Sequence, residues 1–188
     1  MRTDVEEAPP PYLWAAVAGA LVLGLYVLTL APSTALWDAS EYITTAHVLG
    51  IPHPPGNPFF VALGRVWIIL LEPTGLPVAV RVNLLAAVTS AGASAFWFLV
   101  AHRLLLPVVR DRVAARIGAG AAVLLGATAY TVWNQSTVNE KVYTLSVLII
   151  AVVGWLALRW RDRRDEPGSE RLLLWAVYLL ALGSTSHL

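Results

Sequence analysis

The stretch WDASEYITTAHVLGIPHPPGNPFF, residues 37–60, gathers two acids, two histidines and four prolines in a chain that is otherwise strongly apolar. Asp38 and Glu41 stand three positions apart, so a helix over them carries both carboxylates on one face. A carboxylate held where water meets an apolar phase suits a general base toward a hydroxyl group. A purely structural reading fits the same residues: Asp38 at N-cap and Glu41 three residues on make a capping box, with Trp37 and Tyr42 as its hydrophobic staple. That helix ends near Gly50, before the prolines. His53 precedes Pro54 and is therefore held extended with its imidazole available, as a hydrogen-bonding strut rather than a ligand. His47 and His53 flank a turn and make no metal site by themselves, and the absence of cysteine excludes thiolate sites and disulfides. A second polar stretch, YTVWNQSTVNEKVYTL at 130–145, puts Glu140 and Lys141 at a helix start, an acid favoured by the helix dipole beside its counter-ion.

The elements that must position these residues belong to a membrane protein. Hydrophobic residues make up 57% of the 188 and charged residues 13%, about half the ~25% of soluble domains. A formal net charge of +1 leaves no basic footprint, and no nucleic-acid partner is expected. At a rise of 1.5 Å per residue, crossing a ~30 Å hydrocarbon core takes ~20 apolar residues. Five windows meet this: 12–31, 82–101, 114–132, 142–158 and 172–188. The segment FFVALGRVWIILL, 59–71, carries Arg65 in its middle and lies between Pro58 and Pro73. At ~20 Å it is too short to cross, and it is expected as an interfacial helix. The positive-inside rule favours the same choice. With five spans and the N-terminus inside, Arg2 and the arginines of 103–116 and 159–171 are cytoplasmic, leaving only Arg65, Arg81 and Lys141 outside.

The expected fold is thus an all-α integral membrane protein. Residues 1–11 form a cytoplasmic tail, an uncleaved signal anchor begins the bundle, and 12–188 make a single transmembrane domain with an outer loop at 32–81. Asp38, Glu41, Glu72 and Glu140 then face outward, beyond the reach of cytosolic nucleotide sugars. Gly118, Ala122 and Gly126 repeat every four residues, and Ser90, Ala91, Ser94 and Ala95 offer a second small face, both suited to close helix packing. The run RDRRDEPGSER reads as a charged cytoplasmic turn.

Several blocks together resemble one family. APSTALWDASEYITTAHVLGIPHPPGNPFFVALGRVW looks like the first outer loop of the membrane family catalogued as domain of unknown function 2723. RVNLLAAVTSA, VWNQSTVNEKVYTLSVL and the closing GSTSHL resemble its later blocks in the same order, from about Leu30 to Leu188. That family is similar to the GT-C glycosyltransferases, including protein O-mannosyltransferases, polytopic enzymes that use a polyprenyl-phosphate sugar on the outer leaflet. The resemblance implies Asp38 as the catalytic base with Glu41 as its companion. It implies substrate-binding roles for His53, Glu140, Tyr143 and His187, with Lys141 standing where valine is more usual and Ser186 where asparagine commonly precedes the histidine. A donor phosphate needs a cation, for which Arg65 and Arg81 are the outward arginines.

Two functions follow. One is a glycosyltransferase module passing a sugar from a polyprenyl-phosphate donor to an extracytoplasmic hydroxyl in a bacterial cytoplasmic membrane, with no cofactor beyond the lipid-linked donor and an open question of divalent metal. The other is a non-catalytic transmembrane subunit, a shortened relative of such an enzyme, packing small-residue and Trp-rich faces against other membrane subunits and lipid.

Overall fold

The computed structural model describes residues 9–35, 37–139 and 141–186. The expectations placed on Glu140 and His187 lie outside these residues. Among them the chain forms eight α-helices: α1 (Tyr12–Leu28), α2 (Ala39–Val48), α3 (Pro58–Leu70), α4 (Val78–Val109), α5 (Arg112–Thr128), α6 (Tyr130–Thr137), α7 (Tyr143–Arg163) and α8 (Glu170–Ser184). A single 3₁₀ turn at Glu72–Thr74 follows α3.

Local sequence sets most boundaries. Pro58 opens α3 at a position where its missing N–H costs nothing, and Pro73 lies in the turn after it. Pro77 precedes α4, whose 32 residues span ~48 Å and make it the central helix, packed against α1, α3, α5, α6 and α7. Arg110 ends it in the left-handed region, and the Asp111 side chain accepts the Ala114 N–H at 2.6 Å to cap α5. Ala129 (φ −59°, ψ 130°) interrupts the next helix, and α5 and α6 meet at 69°.

Helix ends group at two poles. At one, the end of α1 meets the end of α6 and the start of α4, through the Ala31 N–H on the Thr137 carbonyl at 3.1 Å and through Asn83. At the other, Arg116 lies over the Trp14 ring, and Arg103 of α4 forks onto Asp162 of α7 at 2.8 Å in both contacts. The charged run that begins in the last turn of α7 is thus more than a solvated turn, since Asp162 ties two long helices together. Between the poles, α4 and α7 share a Thr89–Thr144 hydroxyl bond at 2.9 Å and α4 and α6 a Ser136–Ser90 bond at 2.8 Å, the small-polar contacts suited to helices in lipid.

Five spans do not result. Among the described residues, only α4 and α7 are long and apolar enough to cross a membrane, with α5 and α6 as a third if the bent pair counts as one. At 17 and 15 residues, α1 and α8 reach ~25 Å and ~22 Å. The windows 12–31 and 172–188 overcount: Thr29 to Ala31 already turn toward Thr137, and α8 stops at Ser184. The 13 residues of α3 agree with the short helix expected at 59–71.

The small-residue stripes divide. A Cβ on Gly19 would lie 3.1 Å from the Ala91 carbonyl oxygen and the Ala95 Cβ, so α1 seats on that face of α4. A Cβ on Gly118 would meet Leu105 at 3.0 Å, a close α4–α5 contact, whereas Gly126 faces open space. Two of the three positions of the expected α5 stripe, Ala122 and Gly126, therefore line a groove.

Candidate active site at the mouth of an apolar groove

Asn83, fully buried on α4, joins the two polar stretches. Its Nδ2 donates to the carbonyls of Ala31 and Ser33 at 3.0 Å each, and its Oδ1 accepts the Asn139 N–H at 2.9 Å. The loop after α1 and the loop before α7 are thereby fixed side by side. Asp38 and Lys141, a few residues further along each, meet in an ion pair of 2.9 Å, each about 29% exposed.

The capping box does not form. Asp38 stands at the N-cap of α2 but its side chain makes no cap bond, and Trp37 is exposed and cannot staple the partly polar, buried Tyr42. Glu41 turns to the His-Pro-Pro-Gly turn instead, its Oε1 accepting the His53 N–H at 2.6 Å and its Oε2 meeting His53 Nδ1 at 2.8 Å. The bonds from the His53 ring and then from its N–H hold the Glu41 carboxyl below its ordinary pKa. The hydrogen bond to Asp38 holds the Lys141 ammonium above its own. Glu41 and His53 thus form a clasp, with His53 as the expected strut.

One ligand atom from each of Asp38, Glu41 and His53 lies within 4.8 Å of the others, a cluster that the spacing along the chain concealed because His53 folds back over twelve residues. Asp38 and Glu41 already hold Lys141 and His53. Gly56 makes the fold-back possible: its φ of +87° lies in the region that favours glycine, and its N–H closes the turn on the His53 carbonyl at 3.0 Å.

Beneath the clasp, Tyr42 and Asn57 form an anchor that sequence reasoning did not single out. The Tyr42 hydroxyl donates to Asn57 Oδ1 at 2.8 Å, and Asn57 Nδ2 donates to the Ser186 carbonyl, so α2, the turn before α3 and the end of α8 are linked. The Tyr42 ring stands edge-on to both His53 and Phe60 at 5.7 Å. The only signal in the sequence was a lone asparagine after His-Pro-Pro-Gly, indistinguishable there from an ordinary turn residue.

Arg65 and Arg81 are not brought to Asp38. Arg65 donates to the His47 carbonyl at 2.5 Å, at the far end of α2 and ~14 Å along the helix from Asp38. Arg81 donates to the carbonyls of Leu76 at 2.7 Å and Ile68 at 3.1 Å, and Trp67 Nε1 returns a bond to the Arg81 carbonyl. Tyr143, by contrast, lies in the site, with Lys141 Nζ 5.9 Å from its ring centre.

Tyr143 also lines a groove of about 470 Å³ between α4, α5, α6 and α7. Trp97, Ala122, Gly126 and Val147 make its walls apolar, while Ser90, Gln135, Ser136 and Thr144 lie toward the Asp38 end. An ion pair whose lysine lies over Tyr143, one wall of an apolar groove, can bind a molecule with a charged head and a hydrocarbon tail.

The architecture and site define an all-helical membrane protein with an acid-bearing first loop. The family described as Protein O-mannosyl-transferase TMEM260 N-terminal domain matches residues 38–188, and the chain belongs to that family. The mouse protein O-mannosyl-transferase TMEM260 is 33% identical over 168 residues, 87% of this chain and 22% of the mouse protein. The Dictyostelium discoideum protein of the same description is 33% identical over 78 residues, 42% of this chain and 10% of that protein. The chain thus spans about a fifth or less of these relatives. No solved structure matches it.

Proposed function

We propose that this chain is the catalytic N-terminal module of a GT-C-like glycosyltransferase, moving a sugar from a polyprenyl-phosphate donor to a hydroxyl acceptor on the outer side of a bacterial cytoplasmic membrane. The observation that carries the reading is the release of Asp38 from helix capping. Its carboxylate is instead presented beside Lys141 at the mouth of a groove fit for an isoprenoid chain. The names of the relatives support the same class, and mannose is the sugar those names suggest.

In the reaction, Asp38 takes the proton from the acceptor hydroxyl as its oxygen bonds to the anomeric carbon. The bond from that carbon to the phosphate oxygen breaks, and its electron pair leaves on the lipid phosphate, so the configuration inverts. Glu41 and His53 set the height and angle of α2 against the turn and need exchange no proton. Asp38→Asn tests this. Since the Asp38 side chain makes no cap bond, the variant keeps its fold, while loss of a general base lowers transfer by ~10²–10⁴. Following release of polyprenyl phosphate from the sugar donor by phosphorus NMR reads the rate directly, and undiminished release from Asp38→Asn removes it as the base.

A further inference from the structure

Three cations stand at the Asp38 pole among the described residues, and they are not equivalent. Arg65 and Arg81 bind backbone carbonyls that close α2 and α3, so moving either opens a helix end. The Lys141 partner is a carboxylate, which another anion can replace without unfolding anything. A lysine ammonium suits such an exchange, being a point charge on a flexible stem with no fixed fork to satisfy. It also lies over Tyr143, one wall of the groove, so an anion held there can lay its tail among Trp97, Gly126 and Val147.

We propose that Lys141 receives the phosphate ester of an isoprenoid lipid, and that by leaving Asp38 for that phosphate it uncovers the base only when donor is bound. The proposal rests on the glycosyltransferase reading above for the use made of the released carboxylate. Without donor, the ammonium occupies the Asp38 carboxylate and the site is idle. With donor, Lys141 follows the phosphate, Asp38 faces the acceptor hydroxyl, and the proton it takes comes from that hydroxyl. As the carbon–oxygen bond to phosphate breaks, the leaving ester gains a second negative charge beside Lys141, which is where a fixed cation contributes most. This is a donor-gated base.

The test uses the full-length chain in lipid nanodiscs, with displacement of a fluorescent polyprenyl phosphate as readout. Competitors are unlabelled polyprenyl phosphate, uncharged polyprenol, phosphatidic acid and inorganic phosphate. Wild type should prefer polyprenyl phosphate over polyprenol by about tenfold or more. Lys141→Met should reduce that preference to near parity, and Lys141→Arg, which keeps the charge, should retain most of it and separates lost charge from lost fold. Infrared difference spectra should show the Asp38 carboxylate band moving on ligand binding in wild type, and no such movement in Lys141→Met. Preference that persists in Lys141→Met overturns the assignment. So does phosphatidic acid or inorganic phosphate competing as well as polyprenyl phosphate, which marks a general headgroup site. If Lys141→Met loses the preference but wild type transfers no sugar, the phosphate site stands and the glycosyltransferase reading falls. If wild type transfers sugar and Lys141→Met does so with unchanged KM, the reading stands and this assignment falls.

Discussion

At the residue scale, four side chains of the two polar stretches sort into two couples, Asp38 with Lys141 and Glu41 with His53. The couples differ in what pH does to them. The folded Glu41 carboxyl sits below its ordinary value of 4.5, so its clasp contributes fully above that value and is lost as pH falls through the lower, folded one. Lys141 is held above its ordinary 10.5, so its pair contributes below that value and is lost as pH rises through the higher, folded one. The expected outcome is a clasp that opens in acid and an Asp38–Lys141 pair that opens at high pH. Hydrogen exchange at the His53 amide reads the clasp alone: protected at neutral pH, unprotected in acid, and insensitive to acid in Glu41→Gln, whose amide oxygen accepts without titrating. Protection that ignores pH in the wild type would show that Glu41 is not what holds His53. The presence of chemistry-bearing acids was legible in the sequence, and so was the histidine as a strut. Their partners were not, because a capping box and a pair of long-range contacts share the same local spacing, and only the fold decides between them.

At the scale of elements, Asn83 and the glycines of α5 carry the consequences. Asn83→Leu leaves the buried Asn139 N–H without its bond, at a cost of about 1–3 kcal/mol if it stays unsatisfied, and frees the more exposed carbonyls of Ala31 and Ser33. A thermal unfolding midpoint clearly below wild type, together with a longer Asp38–Lys141 distance by spin labels on the two loops, is the expected result. The glycines give opposite outcomes. Gly118→Leu must displace Leu105 and should destabilise, whereas Gly126→Leu enters open groove and should leave stability within about 0.5 kcal/mol while lowering polyprenyl phosphate binding. Equal destabilisation by both would mean the groove is closed by packing. The four-residue glycine stripe was visible in the sequence, but a small residue that admits a neighbouring helix and one that leaves room for a ligand look identical there. The helices themselves were mostly legible, since prolines at 58, 73 and 77 punctuate them; their lengths were not, because a hydropathy window does not show where the chain turns, as it does after Leu28 and after Ser184.

At the scale of the whole molecule, the two poles divide the charge. Arg103, Arg110, Arg112, Arg116 and the arginines of the α7–α8 turn lie at or near one pole, and Asp38, Glu41, Lys141 and the groove mouth at the other. In a membrane the arginine pole belongs on the cytoplasmic side. A chain without cysteine makes this simple to check: a cysteine at Ser33 should react with an impermeant maleimide from outside, and one at Asp165 only after the membrane is opened. The central claim joins sidedness to catalysis, and one measurement addresses both: transfer from a radiolabelled polyprenyl-phosphate sugar to a membrane-impermeant hydroxyl acceptor, added outside sealed right-side-out vesicles holding wild type or Asp38→Asn at equal folded amounts. Labelled acceptor outside with wild type, and a rate lower by ~10²–10⁴ with Asp38→Asn, is the expected result. Equal labelling by the two proteins, or labelling only of acceptor trapped inside, would contradict it.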